Sequence, residues 1–248
     1  MSATTNGAGE SRAVSIVVGR VVLNGDLVIP PRARGVVLFA HGSGSSRHSP
    51  RNQFVARELQ KGGLATLLID LLTPAEEAID QQTRHLRFDI RLLADRLIGG
   101  IAWLAAQPAT RELRIGLFGA STGAAAAILA AAERQHTAGA VVSRGGRPDL
   151  AGRAALRAVR APTFLIVGER DPEVIRLNRV AFTELRATKD LVIVPAASHL
   201  FEEPGTLEQV AGLARDWFAG HLVPAGSPSV VFAPPDGQAE ATDQESGT

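Results

Sequence analysis

The sequence predicts an α/β fold: a doubly wound, mostly parallel sheet, opened by an N-terminal antiparallel hairpin, covered by helices on both faces and carrying no large lid. Three observations predict it. Short apolar runs recur along the chain without polar alternation, as strands buried on both faces require. Longer stretches with helical spacing lie between them, which is the β-α alternation of a parallel sheet. The 248 residues are 45% hydrophobic, enough for one large core.

Taken in order, residues 14–23 and 27–29 flank Asn24-Gly25, a pair that favours the positive φ of a tight hairpin turn. The apolar runs 35–40, 65–69, 113–118, 139–143, 163–167 and 191–194 read as strands. Among the helices, 51–61 carries Phe54, Val55 and Leu59 at helical spacing and stops at Gly62-Gly63, a C-cap signal. The stretch 86–106 sets Ile90, Leu93, Leu97, Ile101 and Leu104 on one stripe. Residues 122–132 are nearly all alanine and small aliphatics, so a buried helix packed closely on the sheet is expected. Helices over 173–185 and 205–219 complete the set. Residues 1–12 read as a disordered leader, 13–222 as the domain and 223–248, rich in Pro, Gly, Ser and acidic residues, as a flexible tail.

Composition narrows the function. There is no cysteine, which excludes disulfides, thiolate zinc sites and cysteine nucleophiles. There is no tyrosine, which excludes a catalytic phenol. The formal charge is +1 and aromatics make up 4%, so neither a polyanionic partner nor a stacking platform for nucleic acid is expected. No apolar run approaches the length of a membrane span, and no basic-then-apolar leader precedes the domain. A cytoplasmic protein acting on a small molecule, with no nucleic-acid or membrane partner, is the expectation; the oligomeric state is not legible.

In a doubly wound sheet, ligands sit beyond the carboxyl ends of the strands. The chemistry-bearing residues fall there. After Ala40 comes His41-Gly42-Ser43-Gly44; after Phe118, Gly119-Ala120-Ser121-Thr122-Gly123; after Val167, Gly168-Glu169-Arg170-Asp171; after Val194, Pro195-Ala196-Ala197-Ser198-His199. Ser121 lies in a G-x-S-x-G segment between strand and helix, the shape that lifts a hydroxyl clear of the sheet. A serine needs a base, and this chain order expects it late. Of six histidines, His199 comes just after the last predicted strand, while His221 borders the expected tail and the other four lie earlier. Asp171 is the expected acid, with Glu169 the nearest rival and Asp149 and Asp190 further ones; Asp171 also suits an N-cap. The oxyanion hole is expected from the N–H groups of Thr122 and Ser43, with His41 as a structural anchor. Asp70 reads as a loop organiser. Arg144 and Arg147, after the strand next to the nucleophile, are candidates to hold a substrate carboxylate, set against a purely structural pairing of Arg147 with Asp149.

These motifs resemble α/β-hydrolases of the dienelactone hydrolase type over roughly residues 14–220. The resemblance rests on Phe39-Ala40-His41-Gly42-Ser43-Gly44-Ser45-Ser46-Arg47, the Gly-Ala-Ser-Thr-Gly elbow, Gly168-Glu169-Arg170-Asp171 and the segment from Ser198 to Gly205. It implies the α/β-hydrolase fold, a nucleophile at Ser121, an acid at Asp171 and a base at His199. Dienelactone hydrolases proper use a cysteine nucleophile, so the implied relatives are the serine esterases of the group. Small carboxylic esters are then the implied substrates, with neither cofactor nor metal. Two rivals stand beside hydrolysis: acyl transfer through the same triad, and a non-catalytic α/β protein that binds a small molecule.

Overall fold

The computed structural model describes Gly9 and residues 11–222. The tail expected over 223–248 and most of the leader expected over 1–12 lie outside the described residues. Eight strands form one sheet: β1 (Ser11–Val18), β2 (Val21–Val28), β3 (Val36–Ala40), β4 (Ala65–Ile69), β5 (Ile115–Ala120), β6 (Ala138–Arg144), β7 (Thr163–Gly168) and β8 (Lys189–Val194). Their order is β1-β2-β4-β3-β5-β6-β7-β8. The pairs β1–β2 and β2–β4 are antiparallel, and every other neighbouring pair is parallel.

The helices are α1 (Pro50–Lys61), α2 (Pro74–Thr83), α3 (Ile90–Ala106), α4 (Thr122–Glu133), α5 (Gly152–Ala158), α6 (Pro172–Glu184) and α7 (Thr206–Leu222). The sheet separates two cores. Leu38, Leu117 and Val141 face Leu97 of α3, Ala127 of α4 and Ala181 of α6. The alternate residues Val37, Phe39, Phe118 and Val142 face Leu59 of α1 and Phe218 of α7. Apolar residues on both faces of each central strand are why the runs show no polar alternation. Between β6 and β7 lie only a short 3-10 turn (Pro148–Ala151) and α5, with no large lid.

The hairpin forms, but not at Asn24-Gly25. Ser15 pairs with Asn24 and Val14 with Gly25, so both residues lie inside β2, and the turn is Gly19-Arg20. Gly19 has φ 59°, the sign that the first central position of a type II′ turn takes. A Cβ on Gly25 would stand 3.1 Å from Val14 and 3.2 Å from Ile69 and Leu67, so glycine there serves close packing between strands. Two helices, α2 and α5, have no counterpart among the expected elements. α2 begins with a capping box between Thr73 and Glu76, yet Asp80 is its one buried residue, so no apolar stripe marks it.

Candidate active site

Four strand ends build the site. β5 ends at Ala120, and Ser121 follows with φ 50° and ψ −122° before α4 begins. That backbone is strained for any residue with a Cβ. Three hydrogen bonds hold it: Ser121 N–H donates to Arg144 O at 3.3 Å, and the Ala124 and Arg147 N–H groups donate to Ser121 O at 3.1 and 3.0 Å. Small residues let neighbouring backbone close in. A Cβ on Gly123 would lie 2.3 Å from Ala40 O, and one on Gly119 2.4 Å from Ala124 Cα. Glycine is needed at both for space, and α4 is thereby drawn onto the end of the sheet.

His199 and Asp171 come together. His199 Nδ1 and Asp171 Oδ2 are 2.6 Å apart, and Asp171 is largely shielded while the imidazole is 40% exposed. Asp171 Oδ1 also accepts the Val174 N–H at 3.3 Å, so the carboxylate caps α6 and binds the imidazole at once. The N-cap expected of this residue forms, and the same carboxylate stands against the expected base. Its rivals are occupied elsewhere: Glu169 accepts the Ala196 N–H, Asp149 binds Arg147 and Asp190 accepts the adjacent Leu191 N–H. Gly145, with φ 50°, joins the two halves of the site. It follows Arg144, the acceptor of the Ser121 N–H, and a Cβ there would stand 3.0 Å from His199 O and 3.7 Å from His199 Cε1.

On the other side of Ser121, Ser43 Oγ and Thr122 Oγ1 are 3.0 Å apart. The two residues expected to supply oxyanion-hole N–H groups are therefore adjacent, although 79 positions separate them. The Ser43 loop is anchored from beneath. Buried His41 accepts the Leu71 N–H at Nε2, 3.0 Å away, which puts its own proton on Nδ1, 3.0 Å from Gly42 O. Burial lowers the His41 pKa below 6.5, keeping it neutral. Arg47 ties the loop to Asp70 through its backbone N–H at 2.8 Å and its guanidinium, and to Asp26 at 3.3 Å. A cavity of about 260 Å³ opens beside this loop between His41, Gly44, Asp70, Leu72 and Glu77. A larger cleft of about 440 Å³ lies at the opposite, N-terminal ends of β5 and β6, away from Ser121.

The two arginines diverge. Arg147 is held by Asp149 through two bonds of 2.9 and 2.8 Å, and this hydrogen bonding raises its pKa. Arg144 is buried, and its Nη1 has no hydrogen-bond partner among the described residues. Two supporting residues were not anticipated. Glu203 accepts the Ser198 N–H at 2.9 Å and its hydroxyl at 3.2 Å, bracing the loop that carries His199; those bonds, the backbone one foremost, lower the Glu203 pKa. Buried Asn178 of α6 donates to Gly146 O at 2.9 Å. Glu203 lies within the motif from Ser198 to Gly205, which was its available signal; Asn178 had none.

A family model described as alpha/beta hydrolase domain matches residues 33–211. The chain belongs to that family. Within it, the chain is similar to the crystal structure of dienelactone hydrolase from Anabaena variabilis, at 61% identity and a TM-score of 0.85, over 88% of this chain and 100% of that one. This places the α/β-hydrolase in the dienelactone hydrolase-like group. Est1E from Butyrivibrio proteoclasticus, at 14% identity and a TM-score of 0.71 over 84% of this chain and 98% of that one, shares the fold. Proteins of two Mycobacterium tuberculosis strains, provisionally named phosphoribosyl transferases, are 57% identical over 213 residues, or 86% of this chain and 47% of theirs. The α/β-hydrolase chain thus spans about half the length of those curated relatives. No helix among the described residues is long and apolar enough to cross a membrane, and no group of three or more His, Asp or Glu there is arranged to hold a metal.

Proposed function

We propose that this α/β-hydrolase is a serine-dependent carboxylic ester hydrolase that works through an acyl-enzyme. The observation that carries the reading is the 2.6 Å bond between His199 and Asp171, set across Gly145 from a serine held at φ 50°. Ser121 Oγ attacks the ester carbonyl carbon while His199 Nε2 takes its proton; Asp171 keeps the Nδ1 proton in place and stabilises the imidazolium. The Thr122 and Ser43 N–H groups receive the developing oxyanion. The C–O bond to the alcohol then breaks, and the alcohol leaves with the proton from His199. Water, deprotonated by the same histidine, hydrolyses the acyl-enzyme and frees Ser121. The steps call on no cofactor or metal.

The test is hydrolysis of p-nitrophenyl acetate, with Ser121→Ala expected to lower kcat by on the order of 10⁴-fold or more. A fluorophosphonate label should map to Ser121. Full activity in Ser121→Ala, or labelling elsewhere, overturns the assignment. Acyl transfer to an alcohol or amine shares every step up to the acyl-enzyme, and added alcohols that divert the acyl group from water identify it. Phosphoribosyl transfer is the reaction in the name of the mycobacterial relatives, of whose length the matched 213 residues make up 47%.

A further inference from the structure

Beside the Ser121 site, on the face covered by α1 and α7, the protein holds a positive charge that its surroundings leave unanswered. Arg144 ends β6 in register with Ala120, and its guanidinium stands 5.9 Å from the centre of the Phe118 ring. The residue is 7% exposed, and its Nη1 is buried without a hydrogen-bond partner among the described residues. An ionised group in that position normally has a carboxylate beside it, because desolvating a lone charge is costly. The charge that acts on Arg144 is instead another cation, Arg51; burial first, and Arg51 second, push the Arg144 pKa down to about 10, still well above neutrality.

Arg51 occupies the second position of α1 and adds its own unmet donor, a buried Nε with no partner among the described residues. Its Nη1 donates to Glu202 Oε1 at 3.0 Å, so Glu202 is already engaged. The first turn of α1 contains no acidic residue, leaving the positive end of the helix dipole unopposed. Two guanidiniums with leftover donors thus have one carboxylate between them among the described residues, Glu202 on Arg51.

We propose that Arg144, with Arg51 beside it, is a binding site for one small monovalent anion, of carboxylate or halide size. The anion balances the Arg144 charge, that of Arg51 being met by Glu202, and takes the unmet N–H donors. The backbone of the same residue reaches the candidate active site, since Arg144 O accepts the Ser121 N–H and Gly145 abuts His199. The same chemistry has two sources: a carboxylate on the ester being cleaved, which rests on the esterase reading, or a free ion from solution, which does not.

The experiment pairs two binding readouts with one kinetic readout. Crystals of the full chain soaked in sodium bromide are expected to show an anomalous peak within hydrogen-bond reach of Arg144 Nη1. In solution, sodium acetate is expected to raise the melting temperature saturably, by about 3 °C near ten times its Kd. Arg144→Met should lose that rise, and Arg51→Met should weaken it while leaving the Arg144 side chain in place. Neither readout needs turnover, so both are decided separately from the chemistry at Ser121. Should Arg144→Met fail to fold, the bromide peak and Arg51→Met still decide. Kinetically, KM for mono-p-nitrophenyl glutarate is compared with KM for p-nitrophenyl butyrate. A preference of about tenfold or more that Arg144→Met abolishes identifies the substrate carboxylate as the source. Binding without that preference identifies a free ion. No bromide peak at Arg144, together with an acetate response equal in wild type and variants, overturns the site.

Discussion

Acidification to about pH 5.5 is expected to weaken the protein through His41, the anchor under the Ser43 loop. In the folded state the ring is buried and Nε2 accepts the Leu71 N–H, so a second proton has no place to go without breaking that bond. Burial lowers its pKa from 6.5, whereas the unfolded chain leaves it near 6.5. The sign follows. Above pH 6.5 both states are neutral and the residue contributes no pH dependence; below it the unfolded state binds the extra proton and the folded state does not, so stability falls. One pH unit below 6.5 the upper bound, reached when the folded state binds no extra proton, is RT ln 11, or about 1.4 kcal/mol. Chemical denaturation at about pH 7.5 and 5.5, on wild type and His41→Gln, measures it. Glutamine can accept the Leu71 N–H without titrating, and all other groups titrate equally in the two proteins. The pH-dependent difference between them should have this sign and stay within that bound of about 1.4 kcal/mol. Equal pH dependence in both, with an imidazole NMR titration of His41 centred near 6.5, would refute the reasoning.

Three further outcomes follow from the same geometry. Gly123→Ala drives a Cβ to 2.3 Å from Ala40 O and 2.5 Å from His41 O, so a loss of about 3 kcal/mol or more is expected in denaturant melts, with activity falling in the protein that remains folded. Asn178→Ala leaves the Gly146 carbonyl buried without its donor and should cost about 1–3 kcal/mol by the same assay; a neutral result would mean that water replaces the amide. Arg147→Ala breaks a partly exposed pair with Asp149, where screening limits the contribution to about 0–1 kcal/mol, and KM for the uncharged p-nitrophenyl acetate should not change. A large rise in that KM would assign Arg147 a substrate contact.

The parallel strands and the residues just beyond them were legible because burial on both faces leaves an unbroken apolar run, and Ser121, Asp171 and His199 follow the ends of such runs. The β1–β2 turn was misread. Asn24-Gly25 has the stronger local turn preference, but the crowding of Val14, Leu67 and Ile69 around Gly25 decides its place, and that crowding is tertiary. α2 went unseen because a helix with one buried residue has no periodic signature, even with its capping box in plain view. Arg144 and Arg147 looked alike as sequence. Arg144 is the last residue of β6, and the strand's register turns it inward over Phe118, whereas Arg147 lies past the strand and meets Asp149.

The left-handed backbone at Ser121 has a consequence for how this protein would respond to selection. Holding a residue with a Cβ there costs about 1–3 kcal/mol, and glycine escapes most of that cost. Under pressure for heat resistance alone, the favoured change at this position is the one that discards the hydroxyl. On the esterase reading, screens that score survival of heating without scoring turnover would therefore enrich for sturdier, silent variants.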